Sequence, residues 1–477
     1  MTRCLLATVT AVALLLQSPA PATAQPGAYQ GAGDSGGFLN IVPPGQDGVL
    51  NLVETLQAAG GTYPPHVIDQ LSMYGDLVYN SPGLTEGQIF EFFKDASFGV
   101  RSDDIGRTYS PIPGLTIIRD VGFGVPHIYG DTRHATMFGQ GYATAEDRLF
   151  LMDVLRHVGR ARMAEFLGPS EANLHMDREQ LALAPYKEAD LTAQLERIRT
   201  GTPEGPAMEQ DLLSYIEGVN AYVAEARLDL TKQPGEYEAL QLLLEDFVPE
   251  DVVAIATLVG GIFGKGGGGE LLNHCGIKRI AGELGSAAAA RAVFDDFHFS
   301  DDPEAPTTSR TPTPYMQDMG PVSPDAHPDI DCSTLVPIDP EGDPVEELLE
   351  DLEDGLDGLG IGAGAMSNAM LISGDHTQSG RPIAVFGPQT SYYMPQLLVE
   401  KDVHGPGIDA RGVAFAGTDL FVQLGRGRNY AWSATSAGGD NIDQFVLRLC
   451  EAGGGPATIS SMGYVRNGAC EPIETFQ

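Results

Sequence analysis

Residues 301–366 cannot build a core, and that stretch fixes how the rest of the chain is organised. From 301 to 344 the chain is rich in Pro, Asp and Thr, a linker by composition. Glu346-Glu347-Leu348-Leu349-Glu350-Asp351-Leu352-Glu353-Asp354 reads as a short acidic helix that is poorly stable alone, and Gly355 to Gly364 ends it with flexible residues. Ahead of this stretch the sequence is mainly helical. Helices are expected at Val49–Ala59 and Pro65–Leu77, over about 135–167, and at Met208–Ala226, Tyr237–Leu244 and Val252–Leu258. Two strands interrupt them, Leu115–Asp120 and Val125–Tyr129, joined by a turn at Gly122–Gly124. In the long helical stretch Leu149, Met152, Leu155 and Met163 follow mixed three- and four-residue spacings, which predicts one core-facing stripe. Beyond the linker the pattern turns to short strands: Asn368–Ser373, Pro382–Phe386, Leu397–Val399, Val413–Phe415, Asn429–Ser433 and Gln444–Leu449.

At 477 residues and 42% hydrophobic content the chain suits two or three domains or one large one. Its start reads as an export signal: Arg3, an apolar run from Cys4 to Leu16, and the small-x-small site Ala22-Thr23-Ala24. This places the mature protein in the periplasm or outside the cell. No stretch is long and apolar enough for a membrane span. Of the five cysteines, Cys275, Cys332, Cys450 and Cys470 follow the signal, an even number that fits disulfides; Cys450 and Cys470 flank a Gly-rich segment and are the favoured pair. A net charge of −37 argues against nucleic acid or an anionic membrane as partner.

Two familiar motifs fail on context. Gly33-Asp34-Ser35-Gly36-Gly37 matches a trypsin-like nucleophile segment with no domain upstream to supply its His and Asp. Gly264-Lys265-Gly266-Gly267-Gly268-Gly269-Glu270 lacks the Ser or Thr of a phosphate loop, and Val259 occupies the first glycine's place. Ser367 is different. It stands in Gly364-Ala365-Met366-Ser367-Asn368, where the linker stops and strand-like sequence begins. Cutting Met366–Ser367 would give it a free α-amine, of pKa about 7.7–8.0, beside its own hydroxyl, a built-in base.

Ser367 and its surroundings resemble the penicillin acylase family of N-terminal-nucleophile hydrolases. The motifs that carry the likeness are Gly387-Pro388-Gln389, His404-Gly405-Pro406-Gly407-Ile408-Asp409, Trp432-Ser433-Ala434-Thr435-Ser436 and Asp440-Asn441-Ile442-Asp443. Upstream they are Arg119-Asp120, Gly124-Val125-Pro126-His127-Ile128 and Gly141-Tyr142-Ala143 through Ala145-Glu146-Asp147-Arg148-Leu149-Phe150. They lie in the family's order across roughly 113–300 and 367–450. The resemblance implies an α+β protein, an αββα sandwich with a mostly helical α-subunit region. The precursor would divide into a signal peptide (1–24), an N-terminal extension (25–110), an α-subunit-like region (111–300), a linker (301–366) and the N-terminal part of a β-subunit (367–477). The α and β chains would stay associated after cleavage, and the substrate would be a small acyl amide.

The same resemblance implies roles. Ser367 attacks the acyl carbonyl, the backbone N–H of Ser436 stabilises the oxyanion, and the backbone of Gln389 orients the Ser367 amine and hydroxyl. Asp440, Asp443 and the Ile442 carbonyl, with Glu270, align with calcium ligands, a set suited to a hard cation. Plainer readings stand beside these: Gln389 closes a turn, Asp440 and Asp443 are solvated loop acids, and Glu270 opens a helix. His127 and His404 read as structural, and Arg148 beside Asp147 as an internal ion pair. The chain departs from the family's pattern at Met366, where a small residue is commoner, and at the polar Thr390 and Ser391, which argue against an aromatic acyl group. The family's side-chain oxyanion asparagine lies farther along than this sequence extends. The expectation is therefore a truncated β-subunit: a second polypeptide completes it, the sequence is a fragment, or activity has been lost, with a split or truncated gene the preferred explanation. The competing readings are a catalytically inactive, calcium-holding secreted module on the same scaffold, and a serine hydrolase with a conventional triad through His127 or His404.

Overall fold

The computed structural model describes residues 38–41, 49–69, 73, 77, 79–184, 186–297, 330–335, 367–387, 396–436 and 439–473. The expected signal peptide, most of the linker, Met366 and Gln389 lie outside them. The strands are β1 (Leu39–Asn40), β2 (Lys94–Asp95), β3 (Ile105–Tyr109), β4 (Leu115–Asp120), β5 (Pro126–Gly130), β6 (Lys265–Gly267), β7 (Asn368–Ile372), β8 (Ile383–Gly387), β9 (Leu398–Gly405), β10 (Ile408–Phe415), β11 (Leu424–Arg426), β12 (Ala431–Trp432), β13 (Gly439–Ile442), β14 (Leu449–Cys450), β15 (Gly463–Arg466) and β16 (Ala469–Pro472). Together with the helices this is an α+β protein.

The chain divides into two compact units, the first made of residues 1–263 and 350–436, the second of 264–349 and 437–477. In the first, seven strands form one sheet in the order β12-β11-β10-β9-β5-β4-β3. Only the β5–β9 pair is parallel, with His127 opposite Asp402, Ile128 opposite Val403 and Tyr129 opposite His404. That pair joins the strands before the linker to the strands after it.

One face of the sheet is covered by the helix Arg133–Val158. Thr132 caps it, its hydroxyl accepting the Ala135 N–H at 3.1 Å. The helix Gly205–Ala226 crosses it closely: a Cβ on Gly141 would stand 1.9 Å from the Tyr215 carbonyl, and one on Gly218 2.0 Å from that of Phe138. Tyr142, Leu149, Met152, Tyr215 and Val219 pack there with Ile117, Ile128 and Val403 from the sheet. A neighbouring cluster joins Leu155 and Val158 to Ile255 and Leu258 of the helix Pro249–Gly264, and to Leu398, Val413 and Phe415.

Sequence periodicity predicts one stripe on the long helix, but nearly every side of it is buried, including Glu146, Asp147, Arg148, Asp153 and Arg156. Pairing makes that possible. Asp147 takes the Arg119 guanidinium at 2.7 Å and Glu146 takes Arg119 and Arg107 at 2.6 and 2.7 Å. Asp147 is thus paired with Arg119 and not with its neighbour Arg148, whose Nε donates to the Gln396 carbonyl at 3.0 Å and whose Nη1 reaches the Asp147 carbonyl. Arg148 itself has non-helical backbone angles, a kink inside the helix.

The expected N-terminal extension covers part of the sheet's other face. Lys94 pairs with Glu400 at 2.5 Å, Asn40 donates to Glu400 at 3.0 Å, and the Gly99 N–H reaches Asp402 at 2.7 Å. Arg426 lies between the rings of Phe38 and Phe98, 3.6 and 3.8 Å from their centroids. These partners carry β9 through Glu400, Lys401, Asp402 and His404 to Gly405, beyond the Val399 limit expected from its apolar residues. Elsewhere the helix expected to reach Leu244 stops at Leu240, where Gln241 turns left-handed at φ 58°. The strand expected over Gln444–Leu449 reduces to β14.

In the second unit, β6 and β13 pair in parallel, β14–β16 form an antiparallel sheet, and the helices Glu270–Leu284 and Ala287–Phe297 follow one another. Disulfides Cys275–Cys332 and Cys450–Cys470 form, the second as favoured from sequence. No described helix is long and apolar enough to cross a membrane.

Candidate active site

Ser367 is half-buried at the entrance to β7, which pairs antiparallel with β8, Asn368 opposite Gly387. These two strands form a sheet of their own. Gly387 lies two residues before Gln389, which is outside the described residues. The Ser367 carbonyl accepts a hydrogen bond from the Thr435 hydroxyl at 3.4 Å. The structure therefore brings Ser367 to the segment carrying Ser436, which is exposed.

That segment leaves the sheet through β12, which is held in two ways. It pairs with β11, Gly425 opposite Trp432 and Arg426 opposite Ala431, and the Trp432 indole N–H donates to the Val422 carbonyl at 3.2 Å. Trp432 stacks on Tyr430 at 5.3 Å. With Phe421, Leu420, Arg133 and Asp409 these rings line a cavity of about 220 Å³ on the same strands.

The two candidate histidines sit in a buried charged network. His127 places Nδ1 2.8 Å from Asp402 and Nε2 3.2 Å from Asp120. His404 places Nε2 2.9 Å from Asp402 and Nδ1 2.8 Å from Asp409. Each ring nitrogen thus faces a carboxylate, which accepts only, so each ring suits the doubly protonated, charged form. Burial works against that charge, but the carboxylates outweigh it and raise both imidazole pKa values. Burial likewise opposes the charge on Asp120 and Asp402; His127 holds Asp120 at about 2, and the two histidines hold Asp402 far below the usual carboxylate range. Both rings are buried with a carboxylate against each nitrogen, which favours their structural reading over a conventional triad. A second buried cluster joins the Lys401 ammonium to Asp419 at 2.6 Å, with Tyr215 and Thr144 donating to the same carboxylate at 2.5 Å each.

The expected calcium ligands fall in the second unit. Register in the β6–β13 pair sets Asp440 opposite Gly266 and Ile442 opposite Gly267. The Gly268 N–H donates to the Ile442 carbonyl at 2.7 Å and approaches the Glu270 carboxylate at 3.3 Å. Glu270 and Ile442 therefore meet at one turn, and Glu270 also opens a helix as its plainer reading holds. Asp443 is exposed, and the Asp440 side chain is outside the described atoms. Among the described residues no three His, Cys, Asp or Glu side chains gather as a metal site. The carboxylate and carbonyl oxygens present are of the right kind for calcium.

Sequence reasoning picked Ser436 and passed over Thr435, its neighbour in the same motif. It also passed over Asp402, whose place in a run of alternating charges disguised a buried strand position.

Over residues 115–477 the chain matches the model of the penicillin amidase family. It is 26% identical over 368 residues to penicillin G acylase of Escherichia coli, covering 70% of this chain and 40% of that protein. It is also 26% identical over 368 residues to the acyl-homoserine lactone acylase QuiP of Pseudomonas fluorescens (strain Pf0-1), covering 76% of this chain and 39% of that one. The chain thus spans about 40% of the length of these relatives. A solved thermostable penicillin G acylase from Alcaligenes faecalis, 25% identical, superposes on 44% of this chain and all of that one with a TM-score of 0.34, too loose to bear on the fold. On the extent of the family match, the chain belongs to the penicillin amidase family.

Proposed function

We propose that this chain is the precursor of an amide hydrolase that cuts itself at Met366–Ser367 and then uses Ser367 as its nucleophile. The observation that carries the reading is the meeting of Ser367 with the Thr435-Ser436 segment. In the cut, the Ser367 hydroxyl oxygen adds to the Met366 carbonyl carbon and the Met366–Ser367 C–N bond breaks. An ester remains on the side chain, and the nitrogen becomes the α-amine. Water then hydrolyses the ester, leaving a Met366 carboxylate and the free hydroxyl. In turnover the amine takes the hydroxyl proton as the oxygen attacks the acyl carbonyl, and returns it to the departing substrate nitrogen. Water next attacks the acyl-enzyme, and the amine again serves as base. The Ser436 N–H meets the oxyanion, a role worth about 3–4 kcal/mol where such a donor is preorganised. The Gln389 backbone orients the amine.

The substrate is an acyl amide of small-molecule size; the names of the relatives point to penicillins and N-acyl-homoserine lactones as the classes to try. Two disulfides fit export to the periplasm or beyond. Calcium is proposed at Glu270, Asp440, Asp443 and the Ile442 carbonyl, as a structural charge drawing acids and carbonyl together. Adding EDTA should then lower the thermal midpoint and calcium should restore it; an unchanged midpoint removes the metal from the account. The hairpin β7–β8 leaves Met370, Leu371 and Val385 64%, 73% and 65% exposed, an apolar face suited to packing against further β-subunit sequence, in this chain or in a second polypeptide.

The test is hydrolysis of a panel of phenylacetyl, aliphatic-acyl and acyl-homoserine-lactone amides by the wild-type protein and by Ser367→Ala. Hydrolysis in the first and none in the second is expected. Equal hydrolysis by both would remove Ser367 from the mechanism.

A further inference from the structure

The hydrogen bond that brings Ser367 to its partner segment is made by Thr435, a residue with no role in the mechanism above. Its geometry is informative. Thr435 donates to the Ser367 carbonyl, on the C-terminal side of the serine, whereas the proposed cut breaks the peptide on the N-terminal side. The acceptor therefore persists in the cut protein. Thr435 is joined by a single peptide bond to Ser436, the proposed oxyanion donor. One side-chain hydrogen bond thus ties the nucleophile's backbone to the residue beside the donor.

Every residue of β7 is exposed, and β7 pairs with β8 in a sheet separate from the seven-stranded one. The Thr435 segment, by contrast, leads directly from β12, fixed by its ladder to β11 and by the Trp432–Val422 hydrogen bond.

Resting on the reading of Ser367 as nucleophile, we propose that Thr435 is a positioning residue: its hydroxyl holds the first carbonyl of the nucleophile strand against the segment bearing Ser436, during the cut and during turnover. It touches neither substrate nor the reacting atoms. It sets how far the Ser367 oxygen stands from the Ser436 N–H.

The experiment compares wild type, Thr435→Val, Thr435→Ser and Ser367→Ala, following by mass spectrometry the appearance of a chain beginning Ser-Asn-Ala-Met, with kcat and KM measured on cut protein. Misplacing reacting groups by about 1 Å can cost about a hundredfold, so Thr435→Val should slow both the cut and kcat at least about tenfold. KM should stay within about twofold, because uniform substrate binding is untouched. Thr435→Ser keeps the hydroxyl and should stay within about threefold of wild type in both rates. A Thr435→Val protein that cuts and turns over like wild type overturns the clasp, and so does Thr435→Ser impaired as deeply as Thr435→Val, which would assign the effect to the lost methyl. A wild-type protein left uncut, or Ser367→Ala cut normally, overturns the nucleophile reading and the clasp together. Cut wild type with an indifferent Thr435→Val overturns the clasp alone.

Discussion

The joint between β5 and β9 and the hairpin β7–β8 are both places where sequence after the linker takes up its position, and they are built in opposite ways. At the joint, Asp402 is completely buried, faces two imidazoles, and receives the Gly99 N–H. At the hairpin, apolar side chains stand in solvent and, among the described residues, a 3.4 Å hydrogen bond reaches the Thr435 segment. The joint needs no peptide bond between its halves, because strand pairing and ion pairs supply the connection. The proposed cut at the end of the linker would leave these pairings in place. Among the described residues the hairpin reaches that segment through the Thr435 hydroxyl, so the position of the proposed nucleophile is expected to depend on that side chain.

The contrast is broken most forcefully at Asp402. Asp402→Ala leaves two buried imidazolium groups without their shared carboxylate and should cost about 3–5 kcal/mol of stability, read by urea denaturation. A loss below about 1 kcal/mol would show that the joint does not depend on its buried charge.

Protonation tests the same joint more gently. His127 and His404 have folded-state pKa values raised above the unfolded value. Their contribution is therefore full below about pH 6.5 and is lost as pH rises through the folded values. Asp120 and Asp402 are depressed, so their contribution is present above the ordinary carboxylate value of 3.8 and is lost as pH falls, through about 2 for Asp120. The thermal midpoint should be highest between about pH 4 and 6.5 and fall on the alkaline side, and Asp402→Asn should flatten that fall. A midpoint that climbs steadily from pH 6 to 9 would contradict the charged state assigned to the histidines.

The smallest effect is expected at the hairpin. Leu371→Ser changes an exposed side chain and should move global stability by no more than about 0.5 kcal/mol in urea denaturation. A loss of several kcal/mol would mean that the hairpin is buried in solution.

How much of this was legible follows the same division. Strands with alternating or β-branched residues, such as Leu115–Asp120, could be read directly because their side chains match the pleat. β9 could be read only as far as Val399. Glu400, Lys401, Asp402 and His404 look solvated until the fold brings partners against them, Lys94 and His127 from far upstream and Asp419 and Asp409 from just beyond β9. The long helix hid its burial for the same reason, since Arg119 neutralises Glu146 and Asp147 only once β4 packs beside it. At the candidate site, short motifs singled out Ser367 and Ser436 but not the Thr435 hydroxyl that bonds the Ser367 carbonyl. A hydrogen bond across 68 positions has no local sequence signal.

Ser367 is proposed to become a chain terminus and to act from there. Intact mass and N-terminal sequencing of the purified protein and of Ser367→Ala test it most directly. The account predicts a chain beginning Ser-Asn-Ala-Met from the wild type and an unbroken Met366–Ser367 bond in Ser367→Ala. An uncut wild type, or a variant cut at the same bond, would contradict it.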